Sequence, residues 1–342
     1  MPTNSSVFLL GPGFIGLQVA GELLAKGYRV TTMVRRPEAA KPLEDMGCRI
    51  VRGSLDDHDI ISDTVADSHV VIHTATADHL PSVQSVLDGI ARRKTAGKNT
   101  IYIHTSGCSV LSDDSNGEYA SNKIYEDDKP DTIDSLSPDA PHRRIDLAIL
   151  KGRQELGASA KIAIVIPPVI YGVGMQNRLS IQITTMTRFA LKHGFAGFVG
   201  GGKSIWGQIH VADLARGYVT ILEDLESLPT DKALDNPYFF VENGEEHSWG
   251  KCAEEIGKAL CEAGELKDPN PRQIPESMYG DLFGEWSMAV VGQNARNRAN
   301  RLRALGWKPR EKSTFESLVS DELPIILAED RDFKGYSATV AS

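Results

Sequence analysis

The segment Val7-Phe8-Leu9-Leu10-Gly11-Pro12-Gly13-Phe14-Ile15-Gly16 decides how this chain is read. Four apolar residues run into glycines spaced Gly-x-Gly-x-x-Gly, and an amphipathic stretch from Ile15 to Lys26 follows, closed by Gly27. Each glycine answers a separate need. Gly11 permits a tight turn, Gly13 lets the backbone approach a pyrophosphate, and Gly16 lets a helix pack close to the strand. The helix start then offers free N–H groups and the positive end of its dipole to phosphates. A plain strand-to-helix connection requires only one such glycine. Gly11, Gly13, Phe14, Ile15 and Gly16 are therefore read as the pyrophosphate turn of a dinucleotide site.

About 20 residues further on, a site for NAD usually places a carboxylate on the ribose 2′-hydroxyl. Here the second predicted strand, Arg29–Val34, ends in Arg35-Arg36 with no carboxylate beside them. A guanidinium fork suits a 2′-phosphate through charge-assisted hydrogen bonds, so the expected cofactor is NADP(H).

Beyond the turn, short apolar runs alternate with amphipathic segments. Strands are predicted at Cys48–Arg52, Val70–His73, Thr100–Thr105 and Ile162–Ile166, with helices at Asp57–Ala66, Leu80–Ala96 and His142–Leu156. That alternation indicates an α/β doubly wound parallel sheet. The polar stretch from Ser106 to Pro141 is long for a loop inside a compact domain. The predicted division is a Rossmann domain over 1–172, with segments near 205–242 returning to it. A smaller α/β substrate domain takes 173–204 and 243–342.

The composition narrows the partners. Among 342 residues, 41% are hydrophobic and the net charge is −9, which speaks against nucleic acid, since such binders need a basic face. The four cysteines form no Cys-x-x-Cys pair and no zinc spacing, and they read as thiols of a reducing compartment. No stretch approaches the roughly 18 apolar residues of a membrane span, and no basic leader precedes an apolar run. A cytoplasmic protein with a small-molecule substrate, bound to no nucleic acid and no membrane, is the expectation. A homodimer is left open.

Further stretches carry a resemblance. Gly53-Ser54-Leu55-Asp56-Asp57, Val71-Ile72-His73-Thr74-Ala75, Thr105-Ser106-Gly107, Pro167-Pro168-Val169-Ile170-Tyr171-Gly172, His210-Val211-Ala212-Asp213-Leu214-Ala215 and Leu305-Gly306-Trp307-Lys308-Pro309 follow the glycine turn in order. Together they resemble the extended short-chain dehydrogenase/reductases, the epimerase/dehydratase-like superfamily. The resemblance implies a seven-stranded Rossmann sheet and a C-terminal substrate domain. It implies that Ser54 and Leu55 line the adenine, that Thr74, Ala75 and Thr76 run along the middle of the cofactor, and that Pro167 and Val169 contact the nicotinamide. Ser54 stands where the family usually has aspartate, and Leu10 where many members have their first glycine. Both departures resemble the atypical branch, which includes members without redox chemistry.

The same resemblance implies a catalytic serine, and a tyrosine four residues before a lysine on one helix face. Ser106 matches the serine. The helix that begins near Pro141 carries no tyrosine; its counterpart pair is His142 and Asp146, or Leu147 and Lys151, depending on register. His142 is a candidate proton donor because histidine titrates near neutrality. Tyr119-Ala120-Ser121-Asn122-Lys123 is the chain's Tyr-x-x-x-Lys, and a short helix capped by Asn116 would bring Tyr119 and Lys123 to one face. The Gly200-Gly201-Gly202-Lys203-Ser204 run lacks phosphate-loop spacing and reads as a turn at the rim of a substrate pocket. Three functions fit: an NADP(H)-dependent oxidoreductase, an epimerase, dehydratase or cyclase with transient or structural cofactor, and an NADP(H)-sensing regulator with a protein partner.

Overall fold

A computed structural model describes residues 5–330 together with Phe333 and Gly335. Seven strands form one parallel sheet: β1 (Ser6–Leu10), β2 (Arg29–Val34), β3 (Arg49–Arg52), β4 (Val70–His73), β5 (Thr100–Thr105), β6 (Ala160–Ile166) and β7 (Tyr238–Phe240). Their spatial order is β7-β6-β5-β4-β1-β2-β3. β1 sits at the centre, with Val7 opposite Val30 on one side and Val70 on the other. The central strands are apolar on both faces because helices cover both; Val7 to Leu10 and Val70 to Ile72 are fully buried.

The helices α1 (Phe14–Ala25), α2 (His58–Ala66), α3 (Leu80–Thr95) and α4 (Arg143–Leu156) follow the predicted amphipathic stretches, and α5 (Gln182–His193), α6 (Val211–Ser227) and α7 (Trp249–Glu262) come after them. α2, α3 and α4 pack side by side as one layer, and α1 packs with α6 in the other. The chain leaves β1 towards β2 and β3 and then returns to β4 and β5. That reversal opens a crevice at the carboxyl ends of β1 and β4, where ligands of such sheets bind.

The remaining strands build smaller sheets. Val169–Tyr171 runs parallel to Ile205–His210, which pairs antiparallel with Glu246–Ser248. Tyr125–Glu126 pairs with Asn297–Arg298, tying the 106–141 stretch to the C-terminal segment. That stretch is structured, containing single-turn helices at Cys108–Leu111 and Pro130–Asp134. Among the described residues, no helix is long and apolar enough to cross a membrane. Cys48, Cys108 and Cys252 are buried free thiols.

Candidate active site

The glycine turn is built by close approach. Gly11 has φ +89°, and a Cβ there would lie 2.3 Å from the Ala75 Cα, so the turn and the residue after β4 leave no room for a side chain. At Gly16 a Cβ would meet the Gly11 carbonyl oxygen at 2.0 Å. Thr74 Oγ1 donates to the carbonyls of Leu10 and Gly11, at 3.1 and 2.8 Å, and pins the turn to β4. Gly13 differs: nothing stands within 4 Å of its would-be Cβ. Open space in front of a bare backbone at a helix start is what a pyrophosphate requires, so the residues present fit a dinucleotide.

Arg35 and Arg36 lie exposed at the end of β2, and Glu38 comes to 3.8 Å from the Arg36 Nε. The Ser54 backbone N–H and hydroxyl both donate to Asp57, at 2.6 and 2.9 Å, just ahead of α2. Its Leu55 neighbour packs against the core. Thr76 Oγ1 accepts from the Asp78 backbone N–H at 3.1 Å and shapes the chain beyond Ala75. Pro167 and Val169 are buried where β6 ends.

Beside this turn, three distant segments converge on one imidazole. His142 Nε2 lies 2.6 Å from Ser109 Oγ, and His142 Nδ1 lies 2.7 Å from Asp78 Oδ1. Asp78 follows Ala75 on the loop leaving β4. Ser109 is carried beyond β5 by the hydrogen bonds from Ser106 N–H to the Val165 carbonyl and from Cys108 N–H to the Pro167 carbonyl. His142 caps α4 with φ +64°, a left-handed conformation that costs a non-glycine residue about 1–2 kcal/mol. The two ring contacts hold it there. So does the buried Arg143, which donates to the Tyr238 hydroxyl and the Asp134 carbonyl, both at 3.2 Å. Gly107 makes space: a Cβ on it would stand 3.2 Å from His142 Nε2. A cavity of about 280 Å³ opens onto Asp78, His142, Arg144 and Ile145.

Beneath the imidazole, Ser106 Oγ donates to Asp146 Oδ2 at 3.1 Å, with both groups buried. Burial pushes the Asp146 carboxyl up to about 7, against the lowering effects of the Ser106 bond and the nearby His142 and Arg143. The other oxygen, Oδ1, has no protein partner. Behind it lie His73 and His104, both buried, with burial holding the His73 ring down at about 4 and His104 well below the usual histidine range. The serine singled out in the sequence therefore faces inward, and the hydroxyl at the imidazole belongs to Ser109.

The Tyr119–Lys123 expectation fails in its geometry. No helix forms there; Asn116 (φ +49°) and Gly117 (φ +80°) reverse the chain instead. Asn116 serves as a turn residue held by Gln293, not as a helix cap. The Tyr119 carbonyl and the Ser121 backbone N–H are bound by Asn294, at 3.1 Å each. Tyr119 is 49% exposed and Lys123 Nζ rests 4.5 Å over the Tyr125 ring. Among the described residues neither side chain touches Ser106 or His142. The Gly200–Gly202 turn packs against this same reversal, with a would-be Gly200 Cβ 2.0 Å from the Asn116 carbonyl oxygen. Trp206 is buried, donates to the Gln293 carbonyl at 2.5 Å and packs against Trp249, with ring centroids 6.0 Å apart and the planes tilted by 56°.

The sequence model of the NAD dependent epimerase/dehydratase family matches residues 7–234, which take in β1 to β6, the glycine turn and the Ser109–His142–Asp78 chain. The protein belongs to that family. The oxidase ucsJ of Acremonium is 30% identical to this family member over 98% of the chain and 100% of its own length. An uncharacterised protein of Schizosaccharomyces pombe is 26% identical over 92% of the chain and 98% of its own. Among solved structures, dTDP-glucose 4,6-dehydratase from Bacillus anthracis, in complex with NAD, superposes with a TM-score of 0.68 at 14% identity, covering 96% of this chain and 98% of that one. The UDP-glucose 4-epimerase of Thermotoga maritima, with UDP-glucose, gives 0.65 at 15% identity, covering 94% and 99%.

Proposed function

We propose that the protein is an NADP(H)-dependent oxidoreductase that interconverts a carbonyl and an alcohol on a small molecule. The observation that carries this reading is the hydrogen-bonded chain from Ser109 through His142 to Asp78, beside the glycine turn at the carboxyl ends of β1, β4 and β5. When bound, the nicotinamide supplies or accepts the hydride. The protein's own residues handle the proton. With the Asp78 carboxylate accepting from Nδ1–H, the imidazole is oriented with Nε2 towards the Ser109 hydroxyl. In the reducing direction Ser109 Oγ gives its proton to the substrate oxygen and takes one from Nε2–H of the doubly protonated His142, which regains it from solvent; oxidation runs the same transfers backwards. Ser106 and Asp146 support this chain from below. Arg35 and Arg36 favour the 2′-phosphate form of the cofactor.

The test is NADPH consumption against a panel of aldehydes and ketones, with NADH as control. Oxidation of NADPH by at least one carbonyl, in preference to NADH, is expected. Isomerisation or water loss from a substrate without net NADPH consumption would instead assign the same proton chain to an epimerase or dehydratase. Reversible NADP(H) binding with neither chemistry would leave the regulatory role.

A further inference from the structure

Leaving Tyr171, the chain folds back across the cofactor turn. Gly174 packs so closely on Phe14 that a Cβ would lie 2.8 Å from its ring. The Met175 backbone N–H donates to Gln18 Oε1 at 3.3 Å, and the Met175 sulfur lies 3.0 Å from where a Gly21 Cβ would be. Phe14, Gln18 and Gly21 share one face of α1 by helical spacing. Gln176 and Asn177, both left-handed at φ +60° and +55°, turn the chain again. Gly174 N–H then closes the loop onto the Arg178 carbonyl at 2.8 Å. The Arg178 side chain emerges exposed, and its Nη1 donates to the Pro12 carbonyl at 3.4 Å. Among the described residues no carboxylate pairs with it.

We propose that Arg178 is the diphosphate-binding cation of this site, set over the glycine turn by the strap of residues 173–178. The proposal rests on the dinucleotide reading of that turn. A diphosphate brings two negative charges, whereas the turn and the first turn of α1 contain Gly, Pro, Phe, Ile and Leu with no cation. A helix terminus offers only about half an elementary charge. Arg35 and Arg36 follow β2, and the cofactor reading already assigns them to the 2′-phosphate. An unpaired guanidinium already bonded to the middle of the turn fills the gap, since its fork binds two phosphate oxygens at once. The long, weak bond to Pro12 is readily exchanged for such a ligand.

Titration calorimetry of NADP+ and NAD+ against the wild type, Arg178→Ala and Arg178→Lys tests this. Both dinucleotides are expected to lose affinity by the same factor in Arg178→Ala, about tenfold or more as for a lost charged hydrogen bond, with part of it restored by Arg178→Lys. The melting temperature of the unliganded variants should match the wild type, because the side chain is exposed. Unchanged affinity for both dinucleotides overturns the assignment, as does a loss confined to NADP+, which would put Arg178 on the 2′-phosphate. A wild type that binds neither dinucleotide overturns it together with the cofactor reading. Wild-type binding without carbonyl reduction sinks the redox reading alone and leaves Arg178 standing.

Discussion

His142 Nδ1 lies 2.7 Å from Asp78 Oδ1, joining the residue that caps α4 to the loop that follows a strand more than sixty positions earlier (a separation of 64). This contact does two things. It fixes which edge of the imidazole faces Ser109, and it holds the ring against a left-handed backbone that histidine alone would abandon.

If the ring moves protons, His142→Gln should lower kcat by about 10²–10⁴-fold, the usual worth of a positioned acid–base group. Dinucleotide affinity should stay unchanged, since His142 is not part of the turn. Asp78→Asn should fall between this variant and the wild type, with a shifted pH–rate profile. Steady-state kinetics beside calorimetric binding checks both, and an unaltered kcat in His142→Gln removes the residue from the chemistry.

The two serines should separate. Ser109→Ala breaks the contact with the imidazole and should slow turnover with little change in melting temperature. Ser106→Ala leaves the Asp146 carboxyl without its hydroxyl donor in the interior, where a lost partner costs about 1–3 kcal/mol, so its larger effect should be on stability. Kinetics and thermal melts on the same preparations decide; a reversed pattern would return Ser106 to the substrate.

Gly13 and Gly11 make a second contrast. A Cβ on Gly13 meets nothing within 4 Å, so Gly13→Ala should fold like the wild type and lose the rise in melting temperature that a bound dinucleotide gives. A Cβ on Gly11 collides with Ala75 at 2.3 Å and 2.4 Å in a backbone with positive φ, so Gly11→Ala should be destabilised before any ligand is added. Melts with and without NADP+ read both effects.

Asp146 also makes stability depend on pH. Its carboxyl is raised from the ordinary 3.8 to about 7, so the folded chain keeps a proton that the unfolded chain releases. Its contribution is full below the ordinary value and is lost as pH rises through the folded one. His73, held near 4 by burial, acts in the opposite sense below its ordinary 6.5, so the bare slope of the protein is a mixture. A difference isolates the term: Asp146→Asn has no proton to lose, and its melting temperature should fall less than that of the wild type between about pH 5 and about pH 8. Parallel curves would place the titration elsewhere.

What was readable in the sequence follows the range of the interactions. The glycine turn, β1 to β6 and their helices are written in local spacing, and the large sheet forms where the apolar runs stand. Helical spacing singled out Asp146 and His142 as one of two pairs near the start of α4, Leu147 and Lys151 being the other. Asp78 and Ser109 were not visible, since each meets the imidazole only through the tertiary fold. The nearest signal is their position, four residues past Thr74 and three past Ser106. Tyr119 and Lys123 matched a motif whose spacing has meaning only on a helix, and the Asn116–Gly117 reversal denies them one. The turn preferences of Asn and Gly favour that reversal.

The seventh strand has a further consequence, for synthesis. Tyr238–Phe240 pairs with β6 from beyond α6, so a nascent chain that has emerged only as far as α5 holds Ala160–Ile166 as a bare edge. That edge contains Ile162-Ala163-Ile164-Val165-Ile166, a run without charge or proline, the kind that templates intermolecular pairing. The half-made polypeptide is thus stickier than the finished one. Ribosomal pausing or truncation before residue 238 should send it to aggregates and proteases, whatever cofactor is present.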